Sequence, residues 1–211
     1  GFKSQQHRWT KGHAQVGKKV LPTILRSKHA TGHQKIEAAF QLGLVYAYPL
    51  VVMLMLLMLP LVSIRYEGRV DWTLFLVDLP IFMAATTSVW SFYLASQKES
   101  GDRNWMSRIL QLPFVISLGI GISVSNSRAV FEGLFCECGE FVRTPKYGVR
   151  GRSDSWLGKK YLSFSNLVPF VEVALGLYMT IAIYQAIQME RFFSLFFLFL
   201  FQFGFFYLGL Q

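Results

Sequence analysis

Polar residues give way abruptly to apolar ones at Ala38, and from there the chain alternates long apolar runs with short charged links. The first run, AAFQLGLVYAYPLVVMLMLLMLPLVS from Ala38 to Ser63, outreaches roughly 30 Å of hydrocarbon at about 1.5 Å per residue and predicts a transmembrane helix. After the link IRYEGRVD, a second run from Trp72 to Ala95, interrupted by Asp78 and Pro80, predicts a return crossing. Two further spans are expected at Asn166 to Gln188 and at Arg191 to Leu210, where Phe crowds the stretch from Phe192 to Phe206. The turn between them, Met189-Glu190-Arg191, is short enough to make an antiparallel helical hairpin.

Two segments carry weaker patterns. Val16, Val20 and Ile24 recur at steps of four, the spacing of one stripe on an amphipathic helix lying in the membrane interface. Pro22 predicts that this stretch divides into two short helices, since proline suits a first turn and not a helix interior. Ile109 to Val124 is apolar but broken by Gln111, Pro113, Ser117, Gly119, Gly121 and Ser123, and its dense core LPFVISLGIGIS is short for a span.

Charge decides that segment. Lys98, Arg103 and Arg108 precede it, and Arg128, Arg143, Lys146, Arg150, Arg152, Lys159 and Lys160 follow it. By the positive-inside rule both flanks are cytoplasmic, so the segment is expected not to cross. With four crossings, only Arg65, Arg69 and Arg191 of the 21 Lys and Arg fall outside. The expected fold is an all-α membrane protein of interface helices plus about four transmembrane helices in a channel-like bundle. Its parts are interface helices over 1–37, two spans over 38–95, a cytoplasmic interface helix and loop over 96–165, and the hairpin over 166–211.

Composition agrees with a membrane protein: 53% of the 211 residues are hydrophobic and the formal net charge is +9. The cations flank apolar runs as topology requires, so they give no separate sign of nucleic-acid binding. Residues 1–35 hold Lys3, Arg8, Lys11, Lys18, Lys19, Arg26, Lys28 and Lys35 and no acid, a composition suited to anionic headgroups or phosphate. The chain begins at Gly1 with no signal-peptide pattern and reads as a portion of something longer. Cys136 and Cys138 form a CxC pair without further ligands and read as reduced thiols rather than a metal site. His29 and His33, with Gly32 between them and no carboxylate taken to be near, read as solvated interface residues.

The polar pentapeptide QQHRW, Gln5 to Trp9, stands ahead of the first span. Gln5, Arg8 and Trp9 lie at i, i+3 and i+4 and share a helix face. Arg forks onto phosphate oxygens, an amide pairs with hydroxyls, and an indole offers an apolar face to a sugar ring, so the trio suits a sugar phosphate. The competing reading is a headgroup anchor.

QQHRW resembles the Q(Q/R)xRW motif of processive family 2 glycosyltransferases, the cellulose, mannan and hyaluronan synthases, and FKSQQHRWTKG looks like bacterial cellulose-synthase-like and mannan-synthase-like enzymes. EFVRTPKYG, Glu140 to Gly148, is similar to their FxVTxK gating loop, with Phe141, Thr144 and Lys146 in register and Arg143 where the pattern has Val. AVFEGLF, Ala129 to Phe135, resembles the interface helix before that loop. The resemblance implies the C-terminal part of an inverting transferase that extends and exports a β-linked polysaccharide from a nucleotide sugar, in the bacterial inner membrane with a cytoplasmic N-terminus. Gln5, Arg8 and Trp9 would bind acceptor or pyrophosphate, and Phe141, Thr144 and Lys146 would close over the nucleotide. The family's DxD and TED carboxylates, which hold Mg²⁺ or Mn²⁺ and supply the base, do not occur here. They would belong to a preceding catalytic domain, and these residues alone should transfer no sugar.

Asp78 and Glu172 lie inside predicted spans, where an ionised group needs a polar lumen or a partner. With Tyr46, Tyr48, Trp90, Tyr93 and Tyr178 they suit the lining of a polysaccharide channel; hydrogen bonding between helices suits them equally. The competing function is a free-standing four-helix channel, transporter subunit or scaffold with a lipid-binding N-terminus.

Overall fold

A computed structural model describes residues 2–67, 87–100, 109–136, 167–189 and 192–211. All the regular structure among them is helical, with no strand. The helices are α1 (Phe2–Arg26), α2 (Gly32–Gly43), a 3₁₀ turn (Leu44–Tyr46), α3 (Ala47–Glu67), α4 (Leu112–Gly121), α5 (Ser123–Phe135), α6 (Leu167–Gln188) and α7 (Phe192–Gly209). Residues 87–99 are also helical.

The expected break at Pro22 does not occur: α1 runs unbroken past it to Arg26. Proline removes its own bond to the Lys18 carbonyl, and the helix continues for only four residues beyond it. The helix ends one turn later, with the Ser27 N–H donating to the Ile24 carbonyl at 3.1 Å. A new helix then starts from a capping box: the Gln34 N–H donates to the Thr31 hydroxyl at 3.3 Å, and the Thr31 N–H donates to the Gln34 side-chain carbonyl at 2.9 Å.

Two helices are long and apolar enough to cross a membrane: the continuous Gly32–Leu61 stretch and Leu167–Gln188. A third crossing counts if Leu112–Gly121 and Ser123–Phe135, bent by 43°, make one broken span. Ser194–Gly209 is apolar but shorter. The helical stretch that holds the first expected span starts six residues before Ala38 and carries a 3₁₀ turn at Leu44–Tyr46 where a single α-helix was expected. Of the second expected span, 72–86 lies outside the described residues.

The chain divides into two compact units. In the first, Gly1–Met53 with Ile122–Val171, α1 packs on α5 and α2. Its core is Ala14, Val45 and Val130, with Tyr46 and Leu134 against them, and the 3₁₀ turn carries Val45 there. The packing line on α1 is Ser4, Thr10, Ala14 and Gly17, all buried. Val16 and Val20 of the anticipated apolar stripe are exposed and Ile24 is half-buried.

In the second unit, Leu54–Gly121 with Glu172–Gln211, small residues let helices meet. A Cβ at Gly204 would overlap the Ser117 carbonyl, and one at Gly121 would overlap the Gly204 carbonyl. The Ser117 hydroxyl donates to the Leu200 carbonyl at 2.6 Å across the same α4–α7 contact. On the α6–α7 side a Cβ at Gly176 would stand 2.8 Å from the Phe206 ring, and the Gln202 amide donates to the Thr180 hydroxyl at 2.8 Å. Small residues plus polar bridges are how helices associate where lipid removes the hydrophobic drive.

Candidate functional site around the QQHRW helix

Helix α1 presents QQHRW with its residues divided between two faces. Gln5 and Trp9 are exposed, Trp9 at 62%, while Arg8 is half-buried. Trp9 shares its outward face with Phe2, Val16 and Val20, which are likewise exposed and recur at heptad or four-residue steps. An indole in that position is free to offer its flat face to a sugar ring or a headgroup.

His7, the central residue of the pentapeptide, turns the other way. Its Nε2 lies 3.6 Å from Glu132 Oε2 on α5. Lys11, one turn further on α1, donates from Nζ to the same oxygen at 3.3 Å, and Arg128 Nε donates to Oε1 at 2.8 Å. One carboxylate thus gathers three basic side chains, two of them from α1. Burial holds His7 below its ordinary pKa of 6.5; Glu132 opposes that shift, and Arg128, Lys11 and Arg8 add to it. At neutral pH the imidazole is uncharged, and the ionic contacts of Glu132 are those with Lys11 and Arg128.

Backbone approach reinforces the seam. A Cβ at Gly133 would come within 2.7 Å of the Lys11 carbonyl and 2.8 Å of the Ala14 side chain. Lys18 Nζ donates to the Leu134 carbonyl, one of the last carbonyls of α5, where the helix dipole favours a cation. On the other flank the His13 ring pairs with the Gln41 carbonyl at 2.8 Å. The first two turns of α5 are unusually polar for their burial: Ser123, Ser125 and Asn126 are fully buried.

Of the other anticipated site residues, Phe141, Thr144, Lys146 and Asp78 lie outside the described residues. Trp90 is half-buried on the helical stretch 87–99. Glu172 is fully buried on α6, and a Cβ at Gly209 of α7 would stand 3.2 Å from its Cβ. The Tyr178 hydroxyl donates to the Leu56 carbonyl of α3 at 2.6 Å. A groove of about 600 Å³ runs along α7 between Phe199, Gln202, Phe203, Phe206, Tyr207 and Leu210.

Glu132 is the residue that sequence reasoning passes over. The only local signal is Arg128 four residues before it; its α1 partners stand more than a hundred residues away. Among the described residues no three His, Cys, Asp or Glu come together as metal ligands. Glu37 does lie 3.9 Å from His33, a carboxylate nearer that imidazole than the sequence reading supposed. Cys136 is a free, exposed thiol. No family model, curated protein or solved structure matches the chain.

Proposed function

We propose that this chain is the membrane-embedded acceptor and gating region of a processive inverting glycosyltransferase, which extends a β-linked polysaccharide from a nucleotide sugar and passes it outward. The observation that carries the reading is the seam between α1 and α5. Gly133 of α5 meets the Lys11 backbone of α1, so the helix bearing QQHRW stands against the helix that ends at Phe135, five residues before EFVRTPKYG. The helix that carries the first motif of the resemblance therefore packs on the helix that precedes the second in sequence.

In this role the exposed Trp9 stacks on the acceptor sugar, with Gln5 and Arg8 pairing to hydroxyls or pyrophosphate oxygens. Phe141, Thr144 and Lys146 close over the nucleotide. Four crossings, with 109–135 kept at the cytoplasmic face, conduct the product, and Asp78, Trp90, Glu172 and Tyr178 are the candidates for its path. The base and the Mg²⁺ or Mn²⁺ ligands come from a catalytic domain outside these residues.

The test is incorporation of labelled nucleotide sugar into polymer by membranes containing the full-length protein. Trp9→Ala should abolish most polymer while leaving the protein in the membrane at normal level. Undiminished polymer from Trp9→Ala would overturn the assignment of acceptor stacking to this face.

A further inference from the structure

A helix lying on a neighbour through Ser4, Thr10, Ala14 and Gly17 has a smooth contact surface. Small side chains permit close approach and set little bulk against rotation about the helix axis. Rotation is the coordinate that matters for α1. At 100° per residue, Trp9 lies about 200° round the axis from His7, and Arg8 about 100°. Whatever fixes the azimuth of His7 therefore sets the direction in which Arg8 and Trp9 point.

Lys18 on the Leu134 carbonyl and His13 on the Gln41 carbonyl hold the later turns of α1, and Glu132 supplies the hold beside QQHRW. Its Oε2 receives Lys11 at 3.3 Å and faces His7 at 3.6 Å, two residues one turn apart on the same face of α1. Arg128 occupies Oε1 at 2.8 Å and holds the carboxylate in orientation from within α5. A carboxylate anchored on its own helix, bonded to Lys11 and facing His7 one turn earlier, opposes both rotation and sliding.

We infer that Glu132 is a positioning residue for the acceptor face of α1: by holding Lys11, with His7 set against the same carboxylate, it fixes the rotation that aims Arg8 and Trp9. The role rests on the function proposed above, but the clamp has a readout of its own. Val16 is exposed, lies seven residues from Trp9 on the same face and belongs to no part of the proposed acceptor site. A spin label at Val16→Cys, in the full-length protein with its other cysteines replaced and reconstituted in vesicles, reports the azimuth of α1 through its collision rates with oxygen and with a nickel chelate.

Glu132→Gln keeps the shape and removes the charge. It should shift those collision rates, and Glu132→Asp should restore them in part. In polymer synthesis primed by a short β-linked oligosaccharide, Glu132→Gln should raise the acceptor KM roughly tenfold to hundredfold, as misaimed binding groups do, with the donor KM unmoved. Unchanged collision rates in Glu132→Gln overturn the clamp even if Trp9→Ala abolishes synthesis. Shifted collision rates with an unmoved acceptor KM overturn the positioning role. If Trp9→Ala leaves synthesis intact, the function proposed above falls, and the collision rates alone decide whether Glu132 fixes α1.

Discussion

The hydroxyl of Tyr178 donates to the carbonyl of Leu56 at 2.6 Å, and that carbonyl is the one Pro60 cannot use. In an α-helix the N–H of residue 60 would close on the oxygen of residue 56; proline has no N–H to give. A side chain from α6 thus satisfies a backbone acceptor that the α3 sequence leaves open, inside segments read as membrane-spanning. An unpaired carbonyl there would have no water to turn to.

Tyr178→Phe should therefore lower stability by about 0.5–2 kcal/mol, the range found for interhelical hydrogen bonds in membranes. Introduced together with Pro60→Ala, which restores a helical donor for Leu56, the same substitution should cost less. Thermal or denaturant unfolding of the four variants in detergent gives the coupling; additive effects would mean that the tyrosine is not compensating the proline.

At the α4–α7 contact the backbones themselves meet, and substitution should be severe. Gly204→Ala places a Cβ against the Ser117 carbonyl, which cannot yield as a flexible side chain does. Overpacking of that kind costs roughly 1–3 kcal/mol or more. Gly119→Ala, two residues from Ser117 but with open space where its Cβ would go, should be neutral or stabilising by up to ~1 kcal/mol. Melting temperatures of the two variants, measured side by side, should move in opposite directions or differ clearly in size.

The contrast between these positions indicates how far the sequence could be read. Apolar runs announce α3 and α6 because hydropathy is summed over many residues, and the Leu167–Gln188 helix lies within one residue of expectation. The helix start at Gly32 is also written locally, in Thr31 and Gln34, although the eye is drawn to Ala38, where the apolar run begins. Gly204 and Gly121 look alike in sequence to Gly119, and only the approach of a distant backbone separates them. The same holds at the candidate site. Gln5, Arg8 and Trp9 are recognisable because their spacing is local, whereas the partner of His7 lies on α5 and carries no periodic signal.

Thr31 gives a direct check on local coding. Thr31→Ala removes the hydroxyl that caps Gln34 and should cost about 1 kcal/mol of helix stability. Thr31→Ser should retain nearly all of it. Amide exchange over 32–36 is the sensitive measurement, with faster exchange expected in Thr31→Ala alone.

The seam between α1 and α5 should also weaken on acidification, with a sign set by His7. Its folded pKa lies below the ordinary 6.5, first because burial disfavours the charged ring, and Arg128, Lys11 and Arg8 add to that against the pull of Glu132. The folded chain thus takes up this proton less readily than the unfolded chain. The stability tied to neutral His7 is fully present above 6.5 and is lost as the pH falls below it towards the folded value. Other groups titrate in the same window, so the quantity to measure is the difference between the native chain and His7→Gln, which keeps a polar side chain and cannot be protonated. Amide exchange in α1 at about pH 7.5 and about pH 5.5, spanning the histidine range, should accelerate more in the native chain than in the variant after correction for intrinsic rates. Equal acceleration in both would show that the proton acts elsewhere. A native chain more protected at the lower pH would mean that the attraction of Glu132 outweighs the burial of the ring.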